Sequence, residues 1–289
     1  MMTNTGLNRE FDGEITIRRA ETAADYRACQ DAQRHAWGID EDGYVIPVAT
    51  MVGANLHGGL VLGAFLPSGE AVATSFAFLG KIEGRLCLYS QLTGVVPSYQ
   101  SRGLGYQIKL LQREIARAAG IDLIAWAFDP LQARNAHFNL ARLGATSGRY
   151  VANMYGERAD RLNAGVPTDR LIAEWSTTAA PPAVISSASA ASLPRLIETE
   201  VGAGEGPGGG TLVPLAVRAP GSLDGPRLLL EIPTDISGLR LEQPALAERW
   251  RMAVGHAFRL AFEGSYRAVQ FIRDDASGHR RGFYLLERL

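Results

Sequence analysis

Lysine is scarce in this chain: among 29 basic side chains only Lys81 and Lys109 are lysines, a bias that fits GC-rich coding and carries no function by itself. Positive charge is not in excess either, with 29 basic against 30 acidic residues. No cationic face is left over to condense on phosphate backbones or anionic lipid, so nucleic acid and membrane surfaces are not expected partners. The two cysteines, Cys29 and Cys87, fall in different elements and form no CxxC pair. That excludes a disulfide framework and a zinc knuckle and fits a reducing compartment. No apolar run is long enough to span a bilayer. Residues Met1 to Ala20 carry Glu10, Asp12 and Glu14 without an apolar h-region, so a cytoplasmic protein is expected. His, Asp and Glu show no metal-ligand spacing and there is no Gly-x-Ser-x-Gly elbow, which removes metallo- and serine-hydrolase chemistry and leaves no metal to expect.

What is present is 289 residues, enough for two domains or for one with a large appendage. From Ser176 to Pro194 nearly every residue is Ser, Thr, Ala or Pro, the composition of a connector. Gly202 to Gly210 (GAGEGPGGG) reads as a mobile loop. The expected division is therefore a domain over 1–176, a linker and glycine-rich loop over 177–210, and a C-terminal appendage over 211–289.

The first part alternates as a strand at Ile15–Arg19, then reads as a helix from Thr22 to Trp37, with Thr22 and Asp25 spaced as a capping box. Leu60–Leu66 and Ala71–Leu79 flank Pro67-Ser68-Gly69 as a hairpin, and Arg85–Val96 follows as a third strand. Phe65, Phe76 and Phe78 lie on this hairpin, the last two at period two, and are expected in the core. Leu104, Ile108, Leu111, Ile115 and Ala118 form one face of a helix ended by Gly120, and Ile121–Phe128 reads as a buried strand parallel to its predecessor. A helix over Ala133–Leu143 and strands at Gly148–Tyr155 and Arg170–Trp175 complete the pattern. The tail repeats strand, helix, strand, strand (Arg227–Ile232, Ala245–Phe262, Arg267–Ile272, Gly282–Leu286). The fold class is α/β (α+β): a mixed sheet with helices on both faces, plus a smaller α/β appendage resembling a degenerate half copy.

The chemistry is concentrated in Leu92–Gln107, LTGVVPSYQSRGLGYQ. A strand, a short loop and two glycines opening a helix direct free N–H groups at whatever lies there, and an anion is the natural guest. A Walker A loop would need Gly-Lys-Ser/Thr, which is absent. Gly103-Leu104-Gly105 supplies two glycines of a dinucleotide fingerprint, but Ile108 stands at the third and antiparallel strands precede it, so an NAD-binding oxidoreductase is the lesser alternative.

Val95-Val96-Pro97-Ser98-Tyr99-Gln100-Ser101-Arg102-Gly103-Leu104-Gly105 resembles the acyl-CoA signature of the GNAT superfamily of N-acyltransferases, and the element order over Ile15–Trp175 is similar as well. The stretch Asp129–Leu143 (DPLQARNAHFNLARL), followed by Asp169-Arg170 and Glu174-Trp175, also looks like a less characterised two-part branch of that superfamily with a C-terminal extension. The resemblance implies that the amides of Gln100, Ser101, Arg102, Gly103, Leu104 and Gly105 hold the pyrophosphate of acetyl-CoA or another acyl-CoA, with Arg102 near the nucleotide phosphate. It also implies that the main chain of Val95 and Val96 pairs with the pantetheine arm where two strands splay apart. The implied reaction is transfer of an acetyl or other short acyl group to the amine of a small molecule, by direct attack. A non-catalytic CoA-binding or regulatory module is the alternative from another class, and a homodimer is left open.

Catalytic groups are less legible. Leu86–Gly94 holds no acid where the family often has a glutamate, and Leu140 stands where the family has a tyrosine. Asp129, closing its strand, is the expected base, with capping of the next turn as the plain alternative. Tyr155 is the expected acid, with His137 the other candidate donor. Asn135 and Asn139, four apart on one expected helical face, are assigned to pantetheine amides and to the acceptor respectively, and Tyr89 joins the acceptor site.

Overall fold

The computed structural model describes residues 7–39, 42–156, 167–180, 183–201, 212–218, 225–274 and 280–288. The expected Gly202–Gly210 loop lies outside them. The chain forms two compact units, one of Met1–Trp126 with Ser176–Ala179 and one of Ala127–Trp175 with Ala180–Leu289. The composition-based division at 176 and 210 stays a proposal about folding units.

In the first unit β1 (Arg9–Phe11), β2 (Ile15–Arg19), β3 (Leu60–Phe65), β4 (Ala71–Ile82), β5 (Arg85–Val95) and β6 (Leu123–Phe128) lie side by side in chain order. The first four pairings are antiparallel, and β5 with β6 is parallel across α3 (Leu104–Ala118), as expected. Helix α1 (Ala23–Trp37) starts at the anticipated capping box: Thr22 Oγ1 accepts from the Asp25 amide at 3.1 Å, and Asp25 Oδ2 accepts from the Thr22 amide at 3.0 Å. With α2 (Val48–Leu56), α1 covers one face of the sheet, burying Tyr26, Cys29, Met51, Val61, Phe65 and Phe76. Phe78 departs from expectation: it is 37% exposed and leans on Tyr89 at the rim, ring centroids 5.3 Å apart, because β4 runs on past the cover of α1.

Gly94 sets how closely α1 approaches β5. A Cβ there would lie 2.3 Å from the Trp37 ring and 2.9 Å from Ala36 Cβ. Gly94→Ala is therefore expected to lower unfolding free energy by about 1–3 kcal/mol through overpacking. Equilibrium denaturation checks it; an unchanged midpoint would count against this packing.

In the second unit the expected helix Ala133–Leu143 is instead one turn of α4 (Ala133–Ala136) followed by π-helical turns over His137–Arg142, with the Leu143 amide bonding to the Phe138 carbonyl five residues back. Four-residue spacing no longer aligns side chains there, which corrects the shared face: Asn135 is exposed and Asn139 buried. The expected strand Gly148–Tyr155 shrinks to β7 (Tyr150–Val151), paired antiparallel with β8 (Arg170–Ser176). The chain leaves the ladder at Asn153, whose φ is 43°, where the Asp169 carboxylate and Thr168 bond its main and side chains. Tyr155 is thus in a turn, not at a strand end.

Within the serine- and alanine-rich stretch, α5 (Ser187–Ala190) buries Ala190 among Leu229, Val269, Phe283 and Leu285, a core contribution that its composition did not advertise. β9 (Ile197–Val201) and β10 (Leu212–Val217) form an unanticipated antiparallel pair. β11 (Arg227–Ile232), α6 (Ile236–Glu242), α7 (Pro244–Glu263), β12 (Tyr266–Asp274) and β13 (Arg281–Arg288) give the strand, helix, strand, strand tail, with β13 between β11 and β12. The expected α7 face of Leu246, Trp250, Val254, Ala257, Phe258 and Ala261 is buried. No helix among the described residues is long and apolar enough to cross a membrane.

Candidate functional site

Two adjoining features of the first unit carry the candidate site: an unpaired stretch of strand edge and a loop of free amides. Among the described residues β5 pairs with β6 at Leu88↔Ile124 and Tyr89↔Ala125 and nowhere else. Immediately afterwards β5 bulges, since Phe76 faces Leu92 while Ala77 faces Ser90, leaving Gln91 extra. A bulge bends its strand, and from here β5 runs on without β6 beside it.

Register then fixes which peptide groups face the open edge. Val95 stands opposite Ala73, and the Val96 amide donates to the Val72 carbonyl at 3.0 Å. Peptide groups alternate along an antiparallel strand, so both N–H and C=O of Val95, and of Thr93 two residues earlier, point away from β4 toward that edge. This corrects the expectation for Val96, whose N–H is spent on β4. The Val95 carbonyl accepts from Gln100 Nε2 at 3.0 Å, an exposed contact that a ligand amide can replace.

After one 3-10 turn at Pro97–Tyr99 the chain reverses through Ser101 (φ 63°) and Gly103 (φ 90°) into α3. A non-glycine side chain at Gly103 would be strained there. The amides of Tyr106 and Gln107 already bond to the Gly103 carbonyl. Those of Ser101, Arg102, Gly103, Leu104 and Gly105 have no main-chain acceptor among the described residues. Five free N–H groups at the positive end of a fifteen-residue helix make a cradle for a multiply charged anion. It adjoins the open edge: a Cβ on Gly105 would lie 3.7 Å from Val95 Cγ2. The Leu104 side chain is buried, so only its N–H faces a ligand. Arg102 stacks over the Tyr99 ring at 5.5 Å and pairs with Asp12 on the β1–β2 turn, a carboxylate in the place expected for a phosphate. A groove of about 670 Å³, lined by Arg34, His35, Gly38, Ile39, Val96, Pro97 and Ser98, borders the loop.

Beneath the fork where β5 and β6 part lies a polar network that sequence reading passed over. Lys109, on α3, is buried, with Nζ donating to Ser90 Oγ at 2.9 Å and to Gln112 Oε1 at 3.2 Å, and lying 4.1 Å above the Trp126 ring. Burial alone pulls this amine down to about 7. Gln112 Nε2 reaches Ser90 and Ser75, and Ser75 Oγ reaches Thr93 Oγ1 at 3.0 Å. The available signal was a lysine set beside Ile108 and Gln112, inside the face that α3 turns to the sheet.

The remaining expected residues belong to the second unit. Asp129 Oδ2 pairs with Arg251 at 3.0 Å, and its Oδ1 accepts from the Leu131 amide at 2.9 Å. Arg251 also faces Asp169 at 3.5 Å and is itself buried, so Asp129 sits in a structural ion cluster that no local motif announced. Tyr155 is 36% exposed, with the Arg170 guanidinium 5.3 Å from its ring. Leu140, in the tyrosine position, is buried. The His137 imidazole is pushed down by burial and by the charges of Arg273 and Arg142. The structure therefore brings together Val95 and the amides of Ser101–Gly105, while Tyr89 leans on Phe78 at the rim and the N–H groups of Val96 and Gln100 are spent on the Val72 and Pro97 carbonyls; Asp129, Asn135, Asn139 and Tyr155 belong to the other unit.

No protein-family model matches the chain, and no curated protein matches it. Among solved structures, it is similar to the ribosomal-protein-S18-alanine N-acetyltransferase of Escherichia coli, with 17% identity and a TM-score of 0.44 over 59% of this chain and 99% of that one. It is similar to the ribosomal-protein-S5-alanine acetyltransferase of Vibrio fischeri at 14% identity and 0.46, over 61% and 100%. A GNAT family acetyltransferase of Elizabethkingia anophelis with acetyl-CoA bound gives 12% and 0.42, over 56% and 98%. The antiparallel run, the parallel step across α3 and the fork between β5 and β6 give the mixed sheet with helices on its faces that the sequence led one to expect.

Proposed function

We propose that the protein is an acyl-CoA-dependent N-acyltransferase that moves an acetyl or other short acyl group to the amine of a small molecule. One observation carries this reading: five free amides at the start of α3 adjoin a β5 edge whose Thr93 and Val95 peptide groups lack strand partners. A diphosphate with an extended amide-bearing arm matches both halves at once. The diphosphate takes the amides of Ser101 to Gly105, and the arm replaces Gln100 on the Val95 carbonyl. Arg102 exchanges Asp12 for a phosphate.

Acyl transfer needs a polarised carbonyl, a neutral amine and a proton for the leaving sulfur. An outward main-chain N–H of β5, at Val95 or Thr93, is placed to stabilise a developing oxyanion, which in other acyl-transfer sites is worth about 2.7–4 kcal/mol. Direct attack is favoured over an acyl-enzyme because both cysteines are buried, and burial pushes the Cys29 thiol up to about 12.

The test is incubation with acetyl-CoA and a panel of small amines, following free thiol. Release that depends on a particular amine is the expected result. Tight CoA binding without turnover favours the regulatory module, a reading supported by the absence of a carboxylate on the bulged part of β5. A melting shift with NAD and none with CoA would overturn both.

A further inference from the structure

Lys109 is a buried cation site without a carboxylate. Its neighbours are Ser90 from β5, Gln112 from its own helix and the Trp126 ring from β6, and among the described residues no charged group offsets its burial. Structural lysines are seldom buried unless paired. The location is specific. The last β5–β6 pair is Tyr89↔Ala125, and Ser90 and Trp126 are the next residue on each strand. Nζ therefore bridges the two strands at the point where they separate, at the closed end of the edge that runs from Ser90 to Val95.

Ser90 is set up to pass a proton. Its Oγ accepts from Lys109 Nζ at 2.9 Å and from Gln112 Nε2 at 3.2 Å, which occupies both lone pairs and leaves its own hydrogen to be donated. We propose that Ser90 protonates the sulfur that leaves when the acyl group is transferred, with Lys109 acting through it as the positioning residue that restores the proton. This rests on the acyltransferase reading above. An arm laid along Thr93 and Val95 from the amide cradle ends at this fork, with its sulfur against Ser90.

The step balances. The acceptor nitrogen attacks the thioester carbon, the C–N bond forms and the C–S bond breaks with its electron pair on sulfur. Sulfur takes the Ser90 hydroxyl proton, Ser90 takes one from the Lys109 ammonium, the acceptor nitrogen sheds its proton to solvent, and the buried Lys109 amine is recharged by a proton passed back through the Ser90 hydroxyl once the thiol product has left. An ammonium with an affinity near neutrality suits this duty, since it both gives and regains a proton at ordinary pH.

A bound thiolate and the Lys109 ammonium stabilise each other, so in the complex the amine holds its proton to higher pH as the thiol ionises at lower pH, which permits a test without knowing the acceptor. Coenzyme A is titrated first to obtain its affinity for the full chain, then the bound thiol is titrated by thiolate absorbance in wild type, Lys109→Met and Ser90→Ala. Expected are CoA affinities within three-fold of one another and a bound thiol that ionises at least one pH unit lower in wild type than in Lys109→Met. Ser90→Ala is expected to shift it part of the way and serves if Lys109→Met does not fold. Equal thiol titrations in all folded variants, with CoA bound, overturn the relay and leave the acyltransferase reading standing. Failure of wild type to bind CoA overturns both.

Discussion

Between pH 7 and pH 9 the wild-type protein is expected to gain ~2 kcal/mol of stability, and Lys109→Met is expected to lose most of that rise. The Lys109 amine is held at about 7 in the folded chain against its ordinary 10.5. Below pH 7 it is protonated whether the chain is folded or not, and contributes no slope. Above pH 7 only the unfolded chain keeps the proton, so stability rises with pH by roughly 1.4 kcal/mol per unit. The rise is visible only up to about pH 9. Beyond that the Cys29 thiol, ordinarily at 9.0 and pushed up to about 12 by burial, acts in the opposite sense, because the unfolded chain sheds a proton that the folded one retains. Buried Tyr284 and half-buried Tyr150, also pushed up, add to that decline. His137, pushed down, acts below its ordinary 6.5 and so outside the window. Methionine fills similar volume without a group to titrate. Lys109→Met should therefore exceed wild type in stability at pH 7, with the gap narrowing toward pH 9. Urea denaturation of both proteins across this range measures it, and parallel pH profiles would show that burial of Lys109 is not what sets the slope.

The second large effect concerns the other unit. Arg251→Met is expected to lower stability by about 3–5 kcal/mol, because it leaves Asp129 and Asp169 facing each other's surroundings without their shared cation. The Arg251 side chain is 8% exposed and Asp169 is 9% exposed, with Asp129 at 17%, so water does little to replace the lost partner. The cluster ties three segments: the turn after β6, the start of β8 and helix α7. Adding Asp129→Asn and Asp169→Asn to Arg251→Met should recover part of the loss, since removing every charge is less costly than orphaning two. Should the single variant denature within 1 kcal/mol of wild type, Asp129 would be released from a structural part and return as a candidate base.

These two residues mark where sequence reading reaches its limit. The helix caps, the β3–β4 hairpin, the parallel step across α3 and the glycine pair at its start were all legible, because each depends on neighbours within a few positions. Thr22 and Asp25 meet through one helical turn, and the amides of residues 101–105 are free because of where a helix begins. The π turns after Ala136 were not legible, since their composition is that of an ordinary amphipathic helix. They misplaced Asn135 relative to Asn139. Tyr155 was misread for a related reason: the strand ends at Val151 and the chain turns at Asn153, to which Thr168 and Asp169, more than a dozen residues on, bond.

The chain's order alone determined that a run of free amides precedes α3 and that the strand after it is buried, since amide direction and periodicity are local properties. Only the tertiary structure decided that β6 stops pairing at Ala125, that Val95 rather than Val96 faces the gap, and that one of two lysines lies buried beneath it. Register, bulging and desolvation depend on residues distant in the chain, and no window of sequence contains both partners.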